Sequence, residues 1–402
     1  MKILMLTPYL PYPPSSGGQV RSYNLIKNLA DRHQITLFSL IKNEQEKKNI
    51  PELEKYCQKV RVFNRPAKPW TLKNILKTGF SSYPFLVVRN LSGEEKEAVK
   101  EELRKEKYDL IHAETFYVMP HLPETNVPIL LVDQTIEFQV YQHYVNKVKN
   151  FLVKPFLYLD VLKIKACELK FWEKADQVVA VSESDRKKML ELVPSLKVRV
   201  VPNGAGEDLM GIWGKKKEQK NLIIFFQANF SWLQNTEAAI NLAKKVFPLI
   251  KKQIPKAMCW IVGQGAKEKI SNLGSEDVKI VDLPTSNTKS VLEAYCKATV
   301  FVAPLEGPGG TRLKILGAMA AGVPVVTTEV GIEGIDAVEN KEVLIGRTWE
   351  ELAEKTVNLL EDHDLYKRLV KNARKLVEKK YNYQKIALIL DKIYRQVGNV
   401  KN

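Results

Sequence analysis

The run Pro304-Leu305-Glu306-Gly307-Pro308-Gly309-Gly310-Thr311-Arg312-Leu313-Lys314-Ile315-Leu316-Gly317-Ala318-Met319-Ala320-Ala321-Gly322-Val323-Pro324-Val325-Val326 decides the fold. It follows the apolar run Val300–Ala303, so strand, glycine-rich loop, helix and strand are compressed into one short segment. The loop leaves backbone N–H groups exposed at a helix N-terminus, whose partial positive charge suits a phosphate. Arg312 and Lys314 sit in or beside the first helical turn, where cations oppose the helix dipole but serve a bound diphosphate. A residue choice that works against its own helix points to function. Ala318, Ala320, Ala321 and Gly322 let the helix pack closely on a sheet, which is a structural role.

The same pattern recurs in both directions. Short Val/Ile/Leu-rich runs predict strands at Ile3–Thr7, Ile35–Leu40, Val60–Phe63, Leu110–Ala113, Ile129–Asp133, Val178–Ser182 and Val198–Val201, then at Leu222–Phe226, Cys259–Gly263, Val278–Val281, Val300–Ala303, Val325–Thr327 and Val343–Ile345. Helical stretches separate them, and near-continuous apolarity places helices on both faces of each sheet. The fold class is α/β, with two Rossmann-like doubly wound domains. The expected division is 1–203, a linker at 204–220 containing the charged Lys215–Lys220 tract, 221–375, and a helix over 376–402.

Two further loops fall where open α/β sheets bind ligands, outside strand carboxyl ends. Gly17-Gly18 closes Pro11-Tyr12-Pro13-Pro14-Ser15-Ser16 and opens an amphipathic helix; it either contacts a phosphate or is an ordinary loop leading into a helix. Gly263 and Gly265 either place backbone against a nucleobase or satisfy a turn. Glu306 faces a sugar or is a solvated carboxylate, and His112 lines an acceptor cleft or is a hydrogen-bonded structural histidine. Trp232 and Tyr295 read as core residues.

At 402 residues, 45% apolar and 27% charged, with 20 Gly and 20 Pro, disordered, collagenous and disulfide-scaffold classes are excluded and two domains are expected. No run approaches the roughly 20 apolar residues of a membrane span, which favours a cytosolic protein. Cys57, Cys167, Cys259 and Cys296 are isolated, so neither zinc nor disulfides are indicated. The net charge is +16 and the excess is shared by both halves, which favours anionic partners. No nucleic-acid recognition module is visible, and the glycine fingerprint of a nicotinamide-dependent dehydrogenase is absent.

The Gly309–Val326 stretch, Gly17-Gly18, Ala175-Asp176-Gln177-Val178-Val179-Ala180-Val181-Ser182-Glu183, Val200-Val201-Pro202-Asn203-Gly204 and Ile261-Val262-Gly263-Gln264-Gly265 together resemble a GT-B fold glycosyltransferase of family 4, in order from residue 2 to about 395. The resemblance implies two domains facing across a cleft, a nucleotide-sugar donor held by the second, an acceptor on the first, and a C-terminal helix crossing back to the first. It also implies metal-independent transfer with retention. Arg312, Lys314 and Gln134 would be the catalytic groups. Gly17, Gly18, Gly309, Gly310, Thr311, Gly263, Gly265 and Gly317 would bind donor, and His112 and Glu137 would lie on the acceptor side. No cofactor is implied beyond the nucleoside-diphosphate sugar, and the acceptor would be a glycan or lipid-linked. Several positions depart from the family pattern. Its two glutamates are Gly309 and Gly317 here, its glycine after the Leu222–Phe226 strand is Ala228, its Trp-x-Pro-Asn is Trp232-Leu233-Gln234-Asn235, and its usual histidine is Gln134. A second reading is therefore a catalytically degenerate nucleotide-sugar-binding or partner-binding protein.

Residues 139–174 interleave Lys147, Lys149, Lys154, Lys163, Lys165, Lys170 and Lys174 with Tyr141, Tyr144, Phe151, Phe156, Tyr158, Phe171 and Trp172. Such a segment suits the anionic inner face of a membrane, with a solvated helix face as the plainer reading.

Overall fold

A computed structural model describes residues 1–66, 68–214, 222–283 and 288–398. The charged tract Lys215–Lys220 of the expected linker lies outside them. The chain divides into two compact units, the first comprising Met1–Pro202 together with the chain from Ile386, the second Asn203–Lys385.

The first unit contains β1 (Lys2–Thr7), β2 (Gln34–Ile41), β3 (Lys59–Asn64), β4 (Leu110–Glu114), β5 (Ile129–Asp133), β6 (Gln177–Ala180) and β7 (Val198–Val200), in sheet order β3-β2-β1-β4-β5-β6-β7. All neighbouring pairs are parallel. The second contains β8 (Leu222–Asn229), β9 (Ala257–Gln264), β10 (Val278–Asp282), β11 (Val300–Ala303), β12 (Val325–Thr327) and β13 (Leu344–Ile345), in order β10-β9-β8-β11-β12-β13, also parallel throughout. Each strand coincides with an apolar run of the sequence. In β1 the residues Ile3, Leu4, Met5 and Leu6 are all buried, as both faces of a covered sheet require.

In each unit the strand order reverses beside the first strand, β1 or β8. That reversal opens a crevice at the carboxyl ends of the strands. Helix starts are fixed locally: Ser92, Ser182 and Thr348 accept hydrogen bonds from the backbone N–H of Glu95, Asp185 and Glu351.

Two helices, His363–Lys380 and Tyr383–Gly398, replace the single expected helix over 376–402. The break at Tyr381-Asn382 belongs to the second unit, where Asn382 bridges Ala205 and Tyr381 carbonyl oxygen accepts from Ala205 N–H at 2.9 Å. Residues 203–205 are therefore integrated in that unit rather than a free tether. From Ile386 the last helix joins the first unit, burying Ile386, Leu390 and Ile393. Each such side chain contributes up to about 1.5–3 kcal/mol. His33 Nε2 meets Asp391 Oδ1 at 2.8 Å and fixes the helix's rotation.

Candidate functional site

The second unit's site is built on strand ends. β11 runs into the 304–312 loop, and the helix Leu313–Ala320 follows. Arg312 is buried and donates from a terminal guanidinium nitrogen to Gly307 carbonyl oxygen at 2.5 Å, so the guanidinium braces the loop that it sits on. Lys314 reaches toward β8: its ammonium donates to Asn235 Oδ1 and lies 5.7 Å from the centre of the Phe226 ring. Desolvation, reinforced by the Arg312 charge, pushes the Lys314 ammonium down to about 7. Among the described residues no carboxylate pairs with Lys314. Asn235 in turn donates to Asn229 carbonyl oxygen at 2.7 Å, and Asn229 Nδ2 donates to Gln264 Oε1 at 2.8 Å. Two adjacent cations thus end a chain of amides running along the carboxyl edge of β8, β9 and β11. Such an edge suits an anion that binds both charges together.

The glycines divide into different classes. Gly309 has φ of +150°, and a Cβ there would come within 2.6 Å of an Arg312 guanidinium nitrogen, so the glycine lets Arg312 fold over the loop. Gly310 and Thr311 complete that loop, with Thr311 buried. Gly317 is a packing glycine: a Cβ would meet Leu209 Cδ1 at 2.9 Å and Tyr295 Oη at 3.4 Å. Helix–helix packing fills the space that a side chain at 317 would take, so a donor contact there would be made by the backbone. At Gly263 a Cβ would lie 1.7 Å from Ala228 carbonyl oxygen, so the approach of β9 to β8 requires glycine there. Gly265 has φ of +71° and starts the helix Ala266–Ile270. Glu306 is exposed and accepts from Asn241 Nδ2 at 3.0 Å, which matches the loop-carboxylate reading. Trp232, expected in the core, is 45% exposed because it precedes the helix Leu233–Asn241 on the outside of its turn. Tyr295 is core, its ring parallel to Phe301.

In the first unit, His112 and Glu114 alternate along β4 and so share a face. His112 is buried with Nδ1 bonded to Tyr394 Oη and Nε2 to Glu114 Oε2 at 2.7 Å. It is therefore the hydrogen-bonded structural histidine, not a side chain lining an acceptor cleft. Glu114 Oε1 accepts from Gln134 Nε2 at 2.6 Å and lies 3.4 Å from Arg21 Nε. Although burial opposes it, His112, Arg21 and Gln134 hold the Glu114 carboxyl below its ordinary value. Gln134 Nε2 also donates to Tyr9 Oη at 3.1 Å, which commits its amide nitrogen. Its Oε1 is the atom that a sugar hydroxyl could meet. Gly18 lies under Tyr9: a Cβ would come within 2.1 Å of the hydroxyl, while Gly17 is exposed at the helix start.

Beside this network, burial pushes Asp133 up to about 8 and Glu137 up to about 7, with Arg89 opposing the latter. Asp133 accepts from Trp172 Nε1 and from Phe116 N–H, the latter at 3.0 Å. Buried Glu168 accepts from Glu137 N–H at 2.9 Å and Phe138 N–H at 3.2 Å. Sequence reading missed Tyr9, Arg21 and Glu114. The alternation in Leu110-Ile111-His112-Ala113-Glu114, two polar residues on one face of an otherwise apolar strand, carried the signal. No described helix is long and apolar enough to cross a membrane, and no described group of three or more His, Cys, Asp and Glu is placed to hold a metal.

Residues 15–208 match the family described as Glycosyltransferase Family 4, and residues 221–362 match Glycosyl transferases group 1. The chain is 23% identical over 397 residues to an uncharacterized 44.6 kDa protein in the cps region of Klebsiella pneumoniae, covering 96% of this chain and 97% of that one. Its fold is similar to sucrose-phosphate synthase from Thermosynechococcus elongatus, with TM-score 0.71, 18% identity and full coverage of both chains. It is also similar to HepE of Anabaena, solved with UDP-glucose, with TM-score 0.65, 15% identity, and 98% of this chain and 100% of that one covered. Two parallel sheets of this order, with matches across both units, make the chain a GT-B glycosyltransferase of family 4.

Proposed function

We propose that this glycosyltransferase moves a hexose, with retention and without a metal ion, from a nucleoside-diphosphate sugar to a glycan or lipid-linked acceptor in cell-envelope or extracellular polysaccharide synthesis. The observation that carries the donor reading is the Arg312–Lys314 pair at the carboxyl end of β11, held by Gly307 and Asn235 and, among the described residues, with no carboxylate paired to Lys314. UDP-glucose bound to HepE and the cps-region location of the Klebsiella relative support the substrate class and the pathway class. As the anomeric C1–O bond to the diphosphate breaks, negative charge grows on the leaving phosphate. The two cations and backbone N–H groups of 309–311 stabilise it. The acceptor oxygen bonds to C1 on the same face, and its proton passes to a phosphate oxygen of the leaving group.

Arg312→Ala is expected to lower donor turnover at least a hundredfold, with a melting temperature lowered by loss of the Gly307 brace but cooperative unfolding retained, and a chelator is expected to leave the wild-type rate unaltered. Wild-type turnover in the variant would overturn the donor assignment. The degenerate-binder reading is favoured by Gly317, whose side-chain space Leu209 fills. It predicts that nucleotide sugars raise the melting temperature but are never consumed.

The enzyme would act at the cytoplasmic face of the membrane, bound peripherally through the first unit. The helix Leu72–Phe80 exposes Leu72, Ile75, Leu76 and Phe80, while Phe151, Phe156, Leu159 and Leu162 are exposed at or near the start of Lys154–Lys174. Lys163 Nζ donates to Thr78 and Ser81 carbonyl oxygens at 2.7 and 2.9 Å, which joins the two helices into one surface.

A further inference from the structure

The first unit carries a second group of cations, none of them assigned to the donor. β2 ends at Ile41 and β3 at Asn64, and these two residues are register partners. Lys42 and Arg65 therefore leave adjacent strands side by side, and Arg65 N–H donates to Ile41 carbonyl oxygen at 2.9 Å. Arg89 follows the helix Phe85–Val88, and its neighbour Asn90 accepts from a terminal nitrogen of Arg65. The three cations lie within electrostatic reach of one another, and burial plus mutual repulsion lower the Lys42 and Arg65 values.

Like charges brought close together repel, so they persist where an anion compensates them. Among the described residues no carboxylate pairs with these three side chains. None of Lys42, Arg65 and Arg89 forms an ion pair there: Glu46 Oε1 accepts from the Lys42 backbone N–H at 2.9 Å and acts on the Lys42 and Arg65 charges without pairing with them, and Glu137 and Asp160 feel Arg89 without pairing. The Nε–H groups of Arg65 and Arg89 are buried and have no acceptor. Two such N–H groups in neighbouring guanidiniums leave the unit's own polar groups short of acceptors at this point. The Arg89 charge is felt by Tyr117, Tyr141 and Glu137, so the group lies within electrostatic reach of the residue expected on the acceptor side.

We infer that Lys42, Arg65 and Arg89 form a subsite for a phosphate group of the acceptor. The inference deepens the proposed function and rests on its placing of the acceptor in the first unit. Two guanidiniums present separate N–H forks, which a tetrahedral phosphate with three peripheral oxygens can meet together; a carboxylate, with two, fills one fork. Three cations also match a dianion better than a monoanion. The phosphate could come from a polyprenyl carrier or from a soluble sugar phosphate, and the same three residues would read either.

The test uses the full chain saturated with UDP, so that the second unit's cations are occupied. Calorimetric titrations with farnesyl monophosphate and glucose 1-phosphate are compared with farnesol and glucose. At least one phosphate probe is expected to bind ten or more times tighter than its neutral counterpart, and the one that does identifies the source. Arg65→Gln combined with Arg89→Gln is expected to remove that preference, and Lys42→Gln, at an exposed position that folding does not need, to weaken it about tenfold, each with UDP affinity unchanged. Equal binding of phosphate and neutral probes, or an unaltered preference in Lys42→Gln, overturns the subsite. Failure of UDP to bind the wild type is a separate readout and tells against the donor reading instead.

Discussion

Lys314 shows how one side chain converts burial into a ligand preference. Its ammonium is desolvated against Phe226 and repelled by Arg312, so it titrates at about 7 when the site holds no anion. A bound diphosphate favours the charged form, raises that value and draws in a proton. Donor affinity should therefore be constant below pH 7 and weaken by up to about tenfold per pH unit above it, until the bound lysine itself titrates. Calorimetry in buffers of different ionisation enthalpy should report proton uptake near pH 7.5 in the wild type. Lys314→Arg, charged throughout, should show neither uptake nor slope. The two cations were legible because they occupy the first turn of a helix that does not want them. Asn235, which positions Lys314, was not, because it arrives from the first turn of a separate helix, Leu233–Asn241.

At the scale of an element, the helix Gly93–Lys105 holds a buried acid that its own sequence disguises. Ser92 and Glu95 have the spacing of a helix cap, and Ser92 Oγ does accept from Glu95 N–H. The Glu95 side chain turns inward rather than back to the cap. Burial pushes it up to about 8, while burial pushes His121 down to about 4. His121 Nε2 accepts from Ser92 N–H at 2.9 Å, and Nδ1 donates to Val118 carbonyl oxygen at 3.0 Å, so the imidazole is neutral. A carboxyl raised in the folded state binds more protons there than when unfolded, so its contribution is full at low pH and is lost as pH rises from about 4.5 to 8. Glu95→Gln should leave stability at pH 5 nearly unchanged and raise it by on the order of 3 kcal/mol at pH 8.5, read from denaturant unfolding at the two pH values. A variant equally stabilised at both would show that the acid is ionised in the fold.

For the whole molecule, the proposed peripheral binding would draw on the +16 charge and the apolar surface of the first unit together. Exposed Lys73, Lys77, Lys147 and Lys149 lie along the segments that expose Leu72, Phe80, Phe151 and Phe156. Each lysine near an anionic surface contributes about 1 kcal/mol, fading over a Debye length of about 8 Å at physiological salt. Sedimentation with anionic vesicles at low salt should pellet the protein, neutral vesicles should not, and added salt should release it. Lys73, Lys77, Lys147 and Lys149 changed to Glu should abolish pelleting, whereas Lys163, bonded to Thr78 and Ser81, is too structural to test the surface. Equal pelleting with neutral and anionic lipid would reject the interaction. The sequence pointed to residues 139–174 through their lysine and aromatic content. The partner helix Leu72–Phe80 was not singled out, because a short apolar run reads the same whether it is covered or bare.

The sequence by itself determined the strands, the two doubly wound domains and the cationic turn at Arg312 and Lys314. These rest on local patterns: an apolar run long enough for one strand, a glycine that permits one turn, a charge at one end of one helix. What depends on residues distant in the chain was decided only by tertiary structure. His112 became structural because Tyr394, 282 residues later, closes on its ring. Gly317 became a packing position because Leu209 fills the space where a side chain would project. Lys42, Arg65 and Arg89 look like three ordinary surface cations in the sequence. Parallel register sets two of them side by side and burial removes the acceptors of two guanidinium N–H groups, and neither effect is encoded in any single segment.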